Sequence, residues 1–329
     1  MTTLKIGGPA RYFCEAGSIE DIREGVAFAR SRNLPLFVLG GGSNILVSDR
    51  GYSGLVMRIT DSTLTWEEKE NMYTLTAGAG VSWDTLVGCV VNHDESGIEN
   101  LSAIPGTVGG AVVQNIGAYG SEVKDCVLSV EVYDPSENCV RTLTRRECNF
   151  AYRTSIFKEE GKKFIIMRVQ FCFQKEKKIN ISYKDLITHF ELKKNIHPTL
   201  TEIRDAVTDI RSKKFPDLSR YGTAGSYFKN PIVSNVVANN FLLRYPLAPV
   251  YDAGEGAKKL SAAWIIDHIL NMRGHRVGAV GSWSAQALVI VNYGDASCAE
   301  VTSFVREIQL YAKKICAITL LAEVILIDE

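Results

Sequence analysis

IPGTVGGAVVQNIGAYG (104–120) sets five glycines, Gly106, Gly109, Gly110, Gly117 and Gly120, among small residues in 17 positions. So little side chain over so long a loop implies that something flat or bulky lies against the backbone. A second glycine turn, Gly40-Gly41-Gly42-Ser43-Asn44, follows directly on the buried-strand pattern LFVL (36–39). Backbone N–H groups uncovered by side chains can form an anion-binding concavity. This turn lacks the helix-opening G-x-G-x-x-G of a dinucleotide fold and the Lys-Ser/Thr of a P-loop. Glycine there also has a purely conformational use, since it permits positive φ.

Around these loops the pattern divides into three zones. In the first, about 1–61, Ser18 and Asp21 have capping-box spacing, and Ile22, Val26 and Ala29 follow at helical intervals. This predicts a helix over 19–32 ended by Pro35, then strands at 36–39, 45–47 and 55–59. The second zone, about 62–213, shows a strand MYTLTA (72–77), a helix at 83–91, and strands VEVYD (130–134) and FIIMRVQFCF (164–173) around a loop carrying Tyr152 and Arg153. A polar break at 175–178 precedes a helix capped by Thr199 and Glu202. The third, about 214–315, holds the loop YGTAGSYFKNP (221–231), a helix at 261–272, the strand QALVIVN (286–292) and a helix at 297–314. Val301, Phe304, Val305, Ile308 and Ile315 mark the buried side of that last helix. The closing run ITLLAEVILI (318–327) reads as a strand free to join the first or the third zone, with Glu323 its only charge.

Composition narrows the function. With 329 residues, 46% of them hydrophobic, the chain can bury a sizeable core. Its 37 basic and 37 acidic side chains cancel, which gives no long-range pull toward nucleic acid or anionic lipid. The N-terminus has no apolar signal-peptide core, and no apolar run approaches membrane-spanning length. The eight cysteines form no C-x-x-C pair and the five histidines no H-E-x-x-H, so no metal is expected and the cysteines read as thiols of a cytoplasmic enzyme. Tyr152-Arg153 and Gly225-Ser226 each have an ordinary reading, as a surface pair and a turn. Glu323 divides evenly between a buried ion pair and a functional acid, because an ionised carboxylate in an apolar strand is costly unless paired.

Together the blocks TLKIGGPA (3–10), LGGGSNILV (39–47), GIENLSAIPGTVGGAVVQNIGAYG (97–120), FAYRTSIFK (150–158), SYKDL (182–186), IRSKKFPD (210–217), TAGSYFKNP (223–231), KLSAAWIID (259–267) and AEV (322–324) resemble the UDP-N-acetylenolpyruvoylglucosamine reductase family from end to end. SYKDL matches the subtype with a tyrosine loop over the substrate. Family chains generally carry further residues before the first block, so a late start or a shortened N-terminus is expected here.

The resemblance implies an α+β fold: two subdomains of the vanillyl-alcohol-oxidase type holding FAD, and a C-terminal α+β substrate domain. The zones then become 1–61 (with 316–329 free to join it), 62–213 and 214–315. It implies non-covalent FAD, NADPH as co-substrate, and reduction of the enolpyruvyl group of a UDP-sugar on the way to peptidoglycan, by a monomer that binds no nucleic acid. Gly40, Gly41, Gly42, Ser43, Asn44, Ile104, Pro105, Gly106, Thr107, Gly110, Asn115, Gly117, Ala118 and Tyr119 would line the FAD. Hydride addition at C3 of the enol ether puts negative charge on C2, spread into the attached carboxylate. Arg153 matches the carboxylate-binding arginine, and its planar fork suits two oxygens. Ser226 matches the proton donor to C2, with Lys214 as supporting charge. Glu323 matches a glutamate beside them, protonated or aimed at Arg153. Tyr152, Tyr183, Asn230 and, more loosely, Gln286 would meet the substrate. An oxidase on the same scaffold would keep the glycine loops but has no use for SYKDL or TAGSYFKNP. A non-catalytic binder would have no need of Arg153, Ser226 and Glu323 together.

Overall fold

The computed structural model describes residues 1–69, 72–174, 179–195 and 197–328. The expected polar break at 175–178 lies outside them. Contacts divide the chain into two compact units rather than three consecutive zones. One comprises Ala10–Gly42 and Ser53–Arg211; the other comprises Met1–Pro9, Ser43–Tyr52 and Ser212–Glu329.

The first unit contains two sheets. Strands Ala10–Ala16, Tyr52–Ile59 and Leu36–Leu39 lie in that order, with the last two parallel. The helix Ile19–Ser31 covers them. Ser18 accepts from the Asp21 amide and the Asp21 carboxylate accepts from the Ser18 amide, the reciprocal cap its spacing predicts. Ile22, Val26 and Ala29 are buried, as the helical periodicity requires. The second sheet is antiparallel, in the order Cys139–Thr144, Val127–Asp134, Ile165–Gln174, Met72–Gly78, Leu64–Lys69. Ile165, Met167, Val169, Phe171 and Phe173 alternate along the sequence with Arg168 and Gln170, and the central strand buries these five while Arg168 faces solvent, the face selection of a pleated strand; Ile166, beside a register shift, is buried as well. The helix Trp83–Asn92 and the short helix Val108–Val113 contribute Trp83, Leu86, Val87, Val90, Val108 and Val112 to the same core.

The other unit is built on an antiparallel sheet ordered Gly222–Ser226, Gln286–Asn292, Val280–Trp283, Arg276–Val277. A three-stranded sheet orders Ile232–Ser234, Ala257–Leu260 and Val250–Asp252. The helix Cys298–Cys316 packs Val301, Phe304, Val305, Ile308, Ala312 and Cys316 into the core. Ile315 is 41% exposed. Beyond Ile308 the buried line advances in steps of four, to Ala312 and Cys316, and leaves Ile315 beside it.

Two expectations about elements change here. The helix over 261–272 is a single α-turn, Ala262–Trp264, that widens into a π-turn, Ile265–Ile269. Asn271 at φ +53° then ends it. The closing strand is only Ile325–Ile327, parallel to Ile45–Val47; residues 318–324 are irregular apart from an isolated antiparallel bridge between Ala322 and Phe228. Glu323 is therefore not a charge inside an apolar strand but a half-buried side chain on an irregular segment, and the burial argument for an ion pair lapses.

Candidate active site

In the first unit the two glycine turns meet backbone to backbone. A Cβ on Gly41 would stand 2.7 Å from the Gly106 Cα, and one on Gly40 2.7 Å from the Thr107 Oγ1. Any side chain at Gly41 would force the turns apart, so this glycine serves close approach. Thr107 caps the helix Val108–Val113, its Oγ1 accepting from the Gly110 amide at 3.4 Å. Gly41, Pro105 and Gly110 face outward, while Gly40, Ile104, Gly106 and Thr107 are half-buried. Gly42 is buried.

The loop's far end is organised around Asn115, which is fully buried. Its Nδ2 donates to the Ala151 carbonyl at 2.9 Å and to Glu122 at 3.1 Å, and its Oδ1 accepts from the Lys124 amide at 3.1 Å. Lys124 Nζ closes on Glu122 at 2.6 Å. Arg153 enters from a tight turn in which Ala151 and Thr154 exchange backbone hydrogen bonds, leaving Arg153 at φ +56°. That value is uncommon for a side-chain-bearing residue and is found where surrounding structure holds it in place. Its Nη1 donates to the Asn115 carbonyl at 3.4 Å and its Nη2 to the Gly117 carbonyl at 2.5 Å. The guanidinium carbon lies 5.5 Å from the centroid of the Tyr152 ring.

Tyr119 is buried, and its phenol, hydrogen-bonded to Arg211, is pushed up to about 12 by burial. It presents its ring edge-on to exposed Tyr183 at 5.2 Å. Half-buried Ala118 packs beside it. Burial likewise pulls the Arg211 guanidinium down from its ordinary value, against the support of Tyr119 and Asp84. Arg204 grips Asp84 with both terminal nitrogens at 2.8 Å, and Asp84 in turn accepts from the Ala103 amide at 2.6 Å. Burial raises the Asp84 carboxyl, but Arg204 and Ala103 outweigh it and hold the group below the usual carboxylate range.

In the other unit a bulge aims Ser226. The register between Gly222–Ser226 and Gln286–Asn292 shifts between Thr223 and Ser226, with Gly225 at φ +76°. Such irregularities bend a strand and redirect the next side chain. From here the chain lies between two neighbours. Tyr227 donates its amide to the Leu288 carbonyl, while its carbonyl accepts from the Glu323 amide at 2.8 Å. Ser226 and Glu323 are thereby brought together. Asn44 secures the same segment, its Nδ2 donating to the Glu323 carbonyl at 3.1 Å and its carbonyl accepting from the Ile325 amide at 3.0 Å. Asn230 accepts from the Ala262 amide at 3.0 Å. Gln286 begins the strand paired with Ser226's strand, and Lys214 ends the helix Leu200–Lys214; both are half-buried. Half-buried Ser43 precedes Asn44 in this unit, and Arg153 belongs to the other.

The sequence reading gave no role to Glu122, Asn100, Asn180 or Arg211. Each is a polar residue inside or next to a quoted block. For Asn100 the signal is a polar side chain in a run otherwise apolar and glycine-rich; Asn180 and Arg211 lie in polar runs that carry no such signal. Among the described residues no helix is long and apolar enough to cross a membrane, and no cluster of three or more His, Cys, Asp or Glu could hold a metal.

Residues 10–143 match an FAD-binding domain family, and residues 217–327 match the C-terminal domain of UDP-N-acetylenolpyruvoylglucosamine reductase. The UDP-N-acetylenolpyruvoylglucosamine reductase of Ralstonia nicotianae is 39% identical over 315 residues, covering 93% of this chain and 91% of its own. That of Pseudomonas aeruginosa is 37% identical over 308 residues, covering 93% and 90%. The crystal structure of the Thermus caldophilus reductase superposes with a TM-score of 0.69 at 26% identity, covering 99% of this chain and 96% of its own. An FAD-binding domain followed by the reductase C-terminal domain, with relatives this similar over nearly the whole length, places the chain in the UDP-N-acetylenolpyruvoylglucosamine reductase family.

Proposed function

We propose a division of labour among this chain's residues in the reaction of its family, reduction of the enolpyruvyl group of a UDP-sugar at the expense of NADPH. The residues present fit FAD. The juxtaposed turns at 40–42 and 104–110 expose backbone and contain no carboxylate, so an anionic pyrophosphate would meet amides without meeting repulsion. Bound FAD supplies the hydride carrier between NADPH and the substrate. Gly40, Gly41, Gly42, Ile104, Pro105, Gly106, Thr107, Gly110, Gly117 and Ala118 would shape its binding surface. Asn115 and Tyr119 act behind that surface, as the buried supports of the loop. Asn44 holds the Glu323 backbone, with Ser43 leading into it.

Arg153 pairs with the substrate carboxylate, into which the charge developing at C2 spreads. The observation that carries this role is the fixing of its guanidinium by the Asn115 and Gly117 carbonyls. Two backbone acceptors orient the fork before substrate arrives, and a preorganised donor costs no reorganisation as charge develops. Ser226 Oγ delivers the proton to C2, supported by Lys214. Glu323, beside it, completes the polar surface around that carbon. Tyr152, Tyr183, Asn230 and Gln286 meet the UDP-sugar. A cytoplasmic monomer completes the proposal: sedimentation of the purified protein checks the oligomeric state, and fractionation of cells checks the location. The activity is tested by an anaerobic spectrum: NADPH should bleach the bound flavin, and the enolpyruvyl UDP-sugar should restore its colour. Bleaching without recovery would overturn the assignment.

A further inference from the structure

Two loops of the first unit, 117–120 and 180–183, are laced together through one buried side chain. Asn100 is 0% exposed. Its Nδ2 donates one hydrogen to the Tyr119 carbonyl at 2.9 Å and the other to the Asn180 carbonyl at 2.8 Å. Asn180 returns a bond from its own Nδ2 to the Gly120 carbonyl at 3.2 Å, across 60 residues of sequence. A Cβ on Gly120 would crowd that Nδ2 at 3.0 Å. The Asn180 Oδ1 accepts from the Ser182 amide at 3.1 Å and the Ser182 hydroxyl at 2.7 Å, which turns the chain into Tyr183. The Tyr183 ring then rests edge-on against Tyr119.

Chemistry fixes which end of the Asn100 amide faces the loops. Both facing groups are carbonyls, so only the NH2 end can meet them. The Oδ1 is left buried with no hydrogen-bond partner among the described residues. An orphaned buried acceptor is destabilising, and an apolar residue of similar volume would avoid it. That residue would, however, leave the Tyr119 and Asn180 carbonyls without this donor, which is also costly. What asparagine supplies is one donor for each of two loops.

We propose that Asn100 is a positioning residue that locks the Tyr183 loop to the 117–120 loop, so that ordering of the cofactor loop also orders the loop over the UDP-sugar. This rests on the reading of Tyr183 as a substrate contact. Asn100 acts through Tyr119 and Asn180 and touches neither ligand.

The test compares wild type with Asn100→Leu and Asn100→Ala, each as the full chain with and without FAD. In wild type, FAD should slow backbone hydrogen exchange in both 117–120 and 180–187. In either variant, protection should survive in 117–120 and be lost in 180–187. The KM for the enolpyruvyl UDP-sugar should rise about 10-fold, the worth of one net hydrogen bond, while flavin reduction by NADPH stays within about twofold. Equal FAD protection of both loops in the variants would overturn the proposal, as would an unchanged KM. If Asn100→Leu does not fold, the smaller Asn100→Ala, which removes the same two donors, decides alone. Tyr183→Ala separates the two readings: an unchanged KM there removes the substrate role of Tyr183, whereas the exchange data still judge the lock.

Discussion

Arg153 crosses the open face of Gly117, with Nη2 on its carbonyl at 2.5 Å and Nη1 only 2.9 Å from where a Cβ would stand. The same absent Cβ would also sit 2.9 Å from Glu122 Cγ. Gly117 is therefore the opening through which the guanidinium reaches its two carbonyl acceptors, and Glu122 forms the opposite wall.

Gly117→Ala tests this relationship. The added methyl cannot share that space with Nη1, and a displaced fork loses its orientation rather than its charge. Reoxidation of the reduced enzyme by the enolpyruvyl UDP-sugar should slow about 10- to 100-fold, short of the ~10²–10³ expected on removing a charge-stabilising donor outright. Stopped-flow reduction by NADPH should change little. Equal slowing of both half-reactions would show that the loop itself had been disrupted.

Ser226→Ala should separate the half-reactions more sharply. The side chain lies past a bulge in a strand whose backbone bonds to Leu288 and Glu323 do not involve the hydroxyl, so the fold should survive. Reoxidation should fall about 10²–10³-fold with NADPH reduction preserved. If reduction falls as far as reoxidation in single turnovers, Ser226 is not the proton donor.

Glu99 predicts a pH effect on stability. It is almost fully buried, and burial raises its carboxyl above the ordinary value of 4.5 despite the Gly97 amide bonded to it at 2.6 Å. A folded-state pKa above the unfolded one means that folding favours the protonated form. Stability is then lost as pH rises from about 4.5 through the folded value. Glu99→Gln keeps an acceptor for Gly97 and removes that loss. Its melting temperature at pH 7 should exceed wild type by about 2–4 °C, the shift that 1 kcal/mol brings to a domain of 150–250 residues. The gap should close below pH 4.5. A constant gap across the pH range would rule out the titration.

Asp84 has the opposite sign. Its carboxyl is held low by Arg204 and the Ala103 amide, against burial. The stability it contributes is present above the ordinary carboxylate pKa and is lost as pH falls through the depressed one. In Asp84→Asn the acid limb of an unfolding-versus-pH curve should be flatter than in wild type. Because Asp84 anchors Ala103 at the entry to the glycine loop, FAD affinity measured by flavin fluorescence should also weaken several-fold at neutral pH.

The sequence made some of these features legible and hid others, for physical reasons. Ser18 with Asp21, the 165–173 alternation and the glycine loops are local signals, readable because capping, pleating and close approach act over a few residues. Glu323 misled because an apolar run looks like a strand whether or not a partner lies along its whole length; Ile325–Ile327 pairs as a strand, while Ala322 makes only an isolated bridge to Phe228. Asn115 and Tyr119 were read as cofactor contacts from their place in the loop. Nothing in the sequence shows that Asn115 bonds inward to Ala151 and Glu122, or that Tyr119 leans on Arg211. Ala151, 36 residues away, and Arg211 lie where single-sequence periodicity carries no information, and nothing in the seven residues from Asn115 to Glu122 marks their pairing. Asn100 escaped for the same reason, its two acceptors being 19 and 80 residues away.

The hydrogen bond from Asn44 to Glu323 spans 279 residues of chain. During synthesis, the segment 43–52 emerges early and must wait, with the strand Ile45–Val47 unpaired, until Ile325–Ile327 follows. The surface around Ser226 is thus completed only as the final strand zips into place. A polypeptide released before that point would lack Glu323 and leave a sticky strand edge uncovered.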